Sequence, residues 1–98
     1  MKNIKRPTLY FLTMIGKEDT RCVGYYVSLG YARGTIECCC ESLCEAGYYK
    51  YAIIEAFSPG WYPATKMEEW YEFIDHGKKI KKIKKPKQYE NICGFGIG

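Results

Sequence analysis

The sequence predicts an α+β fold in which one helix packs across a mostly antiparallel sheet, in the order β-β-α-β-β-β-β. Three observations predict it. Leu29 to Ala46 carries apolar residues at sustained helical spacing, several shorter runs are strand-length and rich in aromatic or β-branched residues, and glycine, proline and polar turn signals separate them. A single helix then has one apolar face to bury, and a sheet is its natural partner. With 98 residues the chain has room for one domain, residues 1–98.

Thr8 to Ile15 (TLYFLTMI) is apolar at successive positions, which predicts a strand buried on both faces. Gly16-Lys17-Glu18-Asp19 makes a turn, and Thr20 to Val27 returns as the second arm of a hairpin. Ser28 is placed to cap the helix from Leu29 to Ala46. Leu29, Ala32, Ile36, Cys39 or Cys40, and Leu43 mark its buried face, while Glu37, Glu41 and Glu45 form a solvated stripe. Gly30 and Gly34 each cost about 1 kcal/mol relative to alanine, so the helix depends on tertiary packing. Gly47 is placed to end it as the residue after the cap.

Tyr48 to Phe57 is the clearest strand. The Ser58–Pro63 stretch that follows, with two prolines and a glycine, reads as a loop that offers Trp61 and Tyr62 as contact residues. Met67 to Asp75 fits both helix and strand spacing. The Asp75-His76-Gly77 turn signal favours a hairpin whose second arm is Ile80 to Lys85, closed by Pro86. Asn91 to Gly98 is expected to be a last strand.

Composition excludes several classes. Hydrophobic residues make up 47% and aromatic residues 16%, too many for a disordered chain. No apolar run approaches the roughly 20 residues of a membrane span. The basic start, Met1 to Pro7, precedes about eight apolar residues with no small-residue cleavage site, so a soluble, unprocessed cytoplasmic chain is expected. The six cysteines include the run Cys38-Cys39-Cys40 with Cys44 one turn on, a pattern unlike a spaced disulfide framework; reduced thiols are expected.

Candidate chemistry is thin. His76, beside Asp75, reads as an exposed turn former rather than a general base. Cys40 and Cys44 share a helix face, but the chain has no pair of close-spaced cysteine motifs, so no metal is expected. Gly94-Phe95-Gly96-Ile97-Gly98 lacks the helix that makes a glycine loop bind phosphate. No cofactor and no catalytic residue are assigned.

Two surfaces remain. Residues 48–73 hold nine tyrosines, tryptophans and phenylalanines, more than a core facing one helix absorbs. Trp61, Tyr62, Trp70 and Tyr71, interleaved with Glu68 and Glu69, suggest an acidic-aromatic surface for a basic protein. Residues 37–75 carry eight acids against two lysines, whereas residues 78–87 contain seven lysines. Lys78, Lys79, Lys81, Lys82, Lys84 and Lys85 on a hairpin arm suit phosphate binding, with Tyr89 or Trp61 as a stacking surface. The competing reading of such a run is a solvated edge that resists sheet association.

Arg21-Cys22-Val23-Gly24-Tyr25-Tyr26, Tyr49-Lys50-Tyr51-Ala52-Ile53-Ile54-Glu55 and the ending Gly94-Phe95-Gly96-Ile97-Gly98 together resemble small uncharacterised proteins carried by phages and mobile elements of Firmicutes. The resemblance spans roughly residues 20–98 and its motifs are structural; the cysteine triplet departs from it. It implies, by analogy with other small phage-borne proteins, an inhibitor of bacterial immunity of the anti-CRISPR kind, or a sponge for signalling nucleotides. The expected function is therefore non-enzymatic binding of a host protein through the acidic-aromatic surface. The alternative is capture of a nucleotide or nucleic acid on the lysine arm, in one form by a homo-oligomer that encloses its ligand.

Overall fold

A computed structural model describes residues 8–57, 67–92 and 94–95. Strands β1 (Leu9–Gly16) and β2 (Thr20–Tyr26) form the first hairpin, helix α1 (Leu29–Cys44) follows, and then come β3 (Tyr49–Phe57), β4 (Met67–Ile74) and β5 (Lys79–Ile83). A 3-10 turn at Lys87–Tyr89 completes the described elements. The five strands make one sheet in the order β2-β1-β3-β4-β5, with every neighbouring pair antiparallel. The fold is α+β, as the sequence predicts. Among the described residues no helix is long and apolar enough to cross a membrane.

The dense apolar runs become the central strands. β1 and β3 are buried on both faces over most of their length, because each face of the sheet is covered. On one face, Leu12, Met14, Ala52, Ile54 and Phe73 pack against Ala32, Ile36 and Cys44 of α1. On the other, Ile15, Ile53 and Trp70 form a second cluster with Tyr51, Ile83, Tyr89 and Phe95. The chain after β5 supplies this second cover, so the excess of aromatics has two cores to fill.

Ser28 caps α1, its Oγ accepting from the Tyr31 amide at 3.4 Å. The helix stops at Cys44, two residues earlier than expected, because Glu45, Ala46 and Gly47 are all left-handed (φ 51°, 57° and 94°). Cys39 was expected in the core as one of two alternatives; it is exposed and non-helical (φ −117°, ψ 17°), while Cys40 is half-buried and Cys44 is buried.

Met67–Ile74 is a strand, which settles the ambiguous segment in favour of the hairpin. Its turn bends under the end of α1. A Cβ on Gly77 (φ 85°) would fall 2.5 Å from the Cys44 Cβ and 2.8 Å from the Cys40 carbonyl oxygen, so only glycine fits there.

The expected last strand is a correction. Asn91, Ile92, Gly94 and Phe95 are not in a strand, and the rest of that segment lies outside the described residues. The amides of Gly94 and Phe95 donate instead to Oε2 of Glu55, at 2.8 and 3.0 Å. A wholly buried carboxylate on the central strand thus takes the hydrogen bonds that a ladder would have used.

Candidate functional site

The residues singled out in β4 and β5 occupy both faces of one edge of the sheet, because side chains alternate along a strand. Glu69 and Tyr71 point toward α1. The Tyr71 hydroxyl donates to Glu69 Oε1 at 2.6 Å, Arg33 Nε donates to the same oxygen at 3.0 Å, and Arg33 Nη2 pairs with Oε2. Lys82 Nζ stands 3.8 Å from Oε2. The Arg33 hydrogen bonds hold the Glu69 carboxyl down to about 2, opposed by burial and helped by Tyr71. Burial first, then the Glu69 carboxylate, pushes the Tyr71 phenol up to about 12. This cluster fastens α1 to β4.

Glu68 and Trp70 serve the opposite face. Trp70 is 3% exposed, stacks on Tyr89 (centroids 5.5 Å apart, 18° between planes) and meets Tyr51 and Phe95 edge-on. Its indole N–H donates to Glu68 Oε1 at 3.1 Å. Lys85 Nζ reaches the same oxygen at 3.1 Å and donates to the Ile92 carbonyl at 2.6 Å. Lys85 therefore ties the chain beyond β5 down over the second core.

These positions correct the expected acidic-aromatic surface. Trp70 and Glu69 are buried, and Glu68 and Tyr71 are half-buried with their polar atoms already engaged. The cause is the second core: a cover on the far face turns β4 into an interior strand whose large residues pack inward on both sides. Trp61 and Tyr62 lie outside the described residues.

The lysine arm divides into two sets. Lys82 and Lys85 face Glu69 and Glu68. Lys78, Lys79, Lys81 and Lys84 are exposed, and among the described residues none has a carboxylate within salt-bridge distance. Ile83 packs into the second cluster, so Lys81 and Lys79, two and four positions earlier, share that face by alternation. Among the described residues β5 is also the outermost strand, with no strand paired to one side of its backbone. The arrangement offers edge amides with the Lys79 and Lys81 ammonium groups on one face beside them, which suits phosphates.

His76 is exposed in the β4–β5 turn with φ 55°, its ring beside Gly47. Among the described residues there is no cluster of three or more metal-ligating side chains. Glu55 was not singled out from sequence, although a lone acid inside Tyr-Ala-Ile-Ile-Glu-Ala-Phe is a visible sign of a buried anchor. No protein-family model, no curated protein and no solved structure matches this chain.

Proposed function

We propose that this chain is a non-catalytic binding protein whose ligand is a nucleic acid or nucleotide, held by its phosphates along β5. The observation that carries the reading is the set of four exposed lysines on and flanking the edge strand that form no ion pair among the described residues: Lys78, Lys79, Lys81 and Lys84. A ladder edge offers backbone N–H groups, and the lysines supply the counter-charge that phosphates need. In the setting the resemblance implies, such capture in the cytoplasm of a bacterial host would deny a defence system its nucleic acid or signalling nucleotide. The test is the affinity for a single-stranded oligonucleotide across a salt series. A steep fall with rising salt is expected, and an affinity indifferent to salt would sink the reading.

A second reading, inhibition of a host defence protein, is supported by the other edge. β2 exposes Val23 and Tyr25 (Val27 follows directly), and it carries one charged residue, Arg21. A face with a single charge and exposed aromatic and branched residues suits contact with a protein partner. On this reading, Tyr25→Lys weakens capture of the host protein while Lys81→Glu does not. The reverse pattern would remove β2 from consideration.

A further inference from the structure

Where β1 ends, the turn into β2 meets the turn from α1 into β3. A Cβ on Gly16 would lie 3.1 Å from the Tyr48 carbonyl oxygen and 3.3 Å from the Tyr49 ring, so glycine lets the two turns close together. Beside this junction lies a cleft of about 380 Å³, walled by Lys17, Tyr48, Lys50, Tyr51, Gln88 and Tyr89 over the backbone of Gly16 and Gly47. That volume falls within the range of small-ligand sites, roughly 300–1,000 Å³.

The walls have a definite chemistry. Tyr51 and Tyr89 meet edge-on with centroids 6.0 Å apart, and Tyr89 is stacked on buried Trp70, so both rings are held in place before any ligand arrives. Tyr48 is 54% exposed and braced edge-on against Tyr49 at 4.8 Å. A flat aromatic ligand would find ring faces here at little ordering cost. Lys17 and Lys50 are exposed, and among the described residues neither has an acid partner; Lys50 Nζ lies 5.5 Å from the Tyr51 ring centroid. Gln88 adds an amide able both to donate and to accept, the pairing needed at the edge of a base. The Asp19 carboxylate raises the Tyr48 phenol pKa, which puts the acid on the Tyr48 side of the cleft, where hydroxyl groups rather than phosphate suit it.

We propose that this cleft is a nucleotide site, with the base against the tyrosines and the phosphate on Lys17 and Lys50. The inference deepens the polyanion reading, because the cross-strand row Tyr51–Glu72–Lys81 sets Lys81 two strand spacings, about 10 Å, from Tyr51. A strand whose terminal base fills the cleft can then run its backbone toward β5. A free nucleotide and the end of a single strand share this chemistry, and the experiment separates them.

The full chain, labelled for amide NMR, is titrated with adenosine 5′-monophosphate, with inorganic phosphate and with a short oligothymidine. Adenosine monophosphate is expected to move the amides of Gly16, Gly47 and Gln88, and inorganic phosphate at equal concentration is not. Tyr48→Ala, which loses a base contact, and Lys50→Glu, which loses a phosphate contact, should each weaken adenosine monophosphate about tenfold. Lys79→Glu with Lys81→Glu should weaken the oligothymidine at least about tenfold more than adenosine monophosphate, whose single phosphate sits on Lys17 and Lys50. If the oligothymidine alone moves the cleft amides, the site takes strand ends; if both do, it takes free nucleotides as well. Unmoved cleft amides, an equal response to phosphate, or full affinity in both cleft variants would overturn the proposal. Oligothymidine binding that is lost with the β5 lysines while the cleft stays silent removes the cleft and keeps the β5 reading. Cleft binding that ignores the β5 lysines does the opposite.

Discussion

The two edges of the sheet face the same hazard and answer it differently. Among the described residues, β2 and β5 each leave a row of backbone groups without a neighbouring strand. β2 answers with geometry: its register against β1 slips between Leu12 and Thr13, where Gly24 and Cys22 face consecutive residues and Val23 is the extra one. Such a bulge increases local twist and spoils a flat edge without any charge. β5 has a regular register and answers with lysines. β2 carries a bulge and one charge, Arg21, whereas residues 78–87 hold seven lysines in and around a five-residue strand. Edge protection alone does not require so many, since a single inward-pointing charge or one lysine serves. The surplus is what the polyanion reading explains.

Neutralising that surplus gives the largest expected effect. Changing Lys78, Lys79, Lys81 and Lys84 to glutamine removes charges that have no acid partner among the described residues, so the stability in a urea titration should shift by less than about 0.5 kcal/mol. Oligonucleotide affinity at low salt should fall about a hundredfold, and its salt dependence should flatten. If affinity survives and the variant instead self-associates on a sizing column, the lysines protect the edge and nothing more, and the two edges differ only in method.

Much of this contrast was legible in the sequence, and the part that was not has a physical cause. Thr8–Ile15 announced a strand covered on both faces because such strands read as unbroken apolar runs, and Tyr48–Phe57 announced a strand through its aromatic and β-branched residues. Ser28 announced the start of α1 through its capping hydroxyl, and Asp75-His76-Gly77 announced the β4–β5 turn. The second core escaped because it is assembled from distant pieces. Trp70, Tyr89 and Phe95 are separated by up to 25 positions and share no period that one segment displays. Once that core was missed, Trp70 looked like a surplus aromatic bound for the surface. The cleft escaped for the same reason: Lys17, Tyr48 and Gln88 come from three separate turns, and only the folded chain brings them together.

The ion pairs behind the two edges extend the comparison to stability. Behind β5, Glu69 is buried and accepts from both Arg33 and Tyr71. Glu69→Gln should therefore cost about 2 kcal/mol, a buried-pair penalty reduced because Arg33 is partly exposed. The pH dependence follows from sign. The folded carboxyl is held at about 2 against an ordinary 4.5, so its contribution is complete above pH 4.5 and disappears as pH falls toward 2. Stability of the wild type measured through that window should drop more steeply than that of the glutamine variant. Parallel curves would mean that Glu69 is no better held than a carboxylate in water.

Behind β2 the corresponding pair is Arg21 with Glu45, whose nitrogen and oxygen are 2.7 Å apart. Distance alone ranks it with the best pairs in the molecule, yet its side chains are 62% and 42% exposed. Water already solvates both charges, and holding two long side chains in one geometry costs most of what the contact returns. Glu45 also occupies the left-handed cap position of α1, where glutamine is no worse suited than glutamate. Glu45→Gln should accordingly change stability by less than about 0.5 kcal/mol, and added salt should remove even that. A loss as large as that of Glu69→Gln would show that the β2 edge is locked to the helix terminus by charge. The bulge would then not be its only restraint, and the division between an edge held by geometry and an edge held by lysines would have to be abandoned.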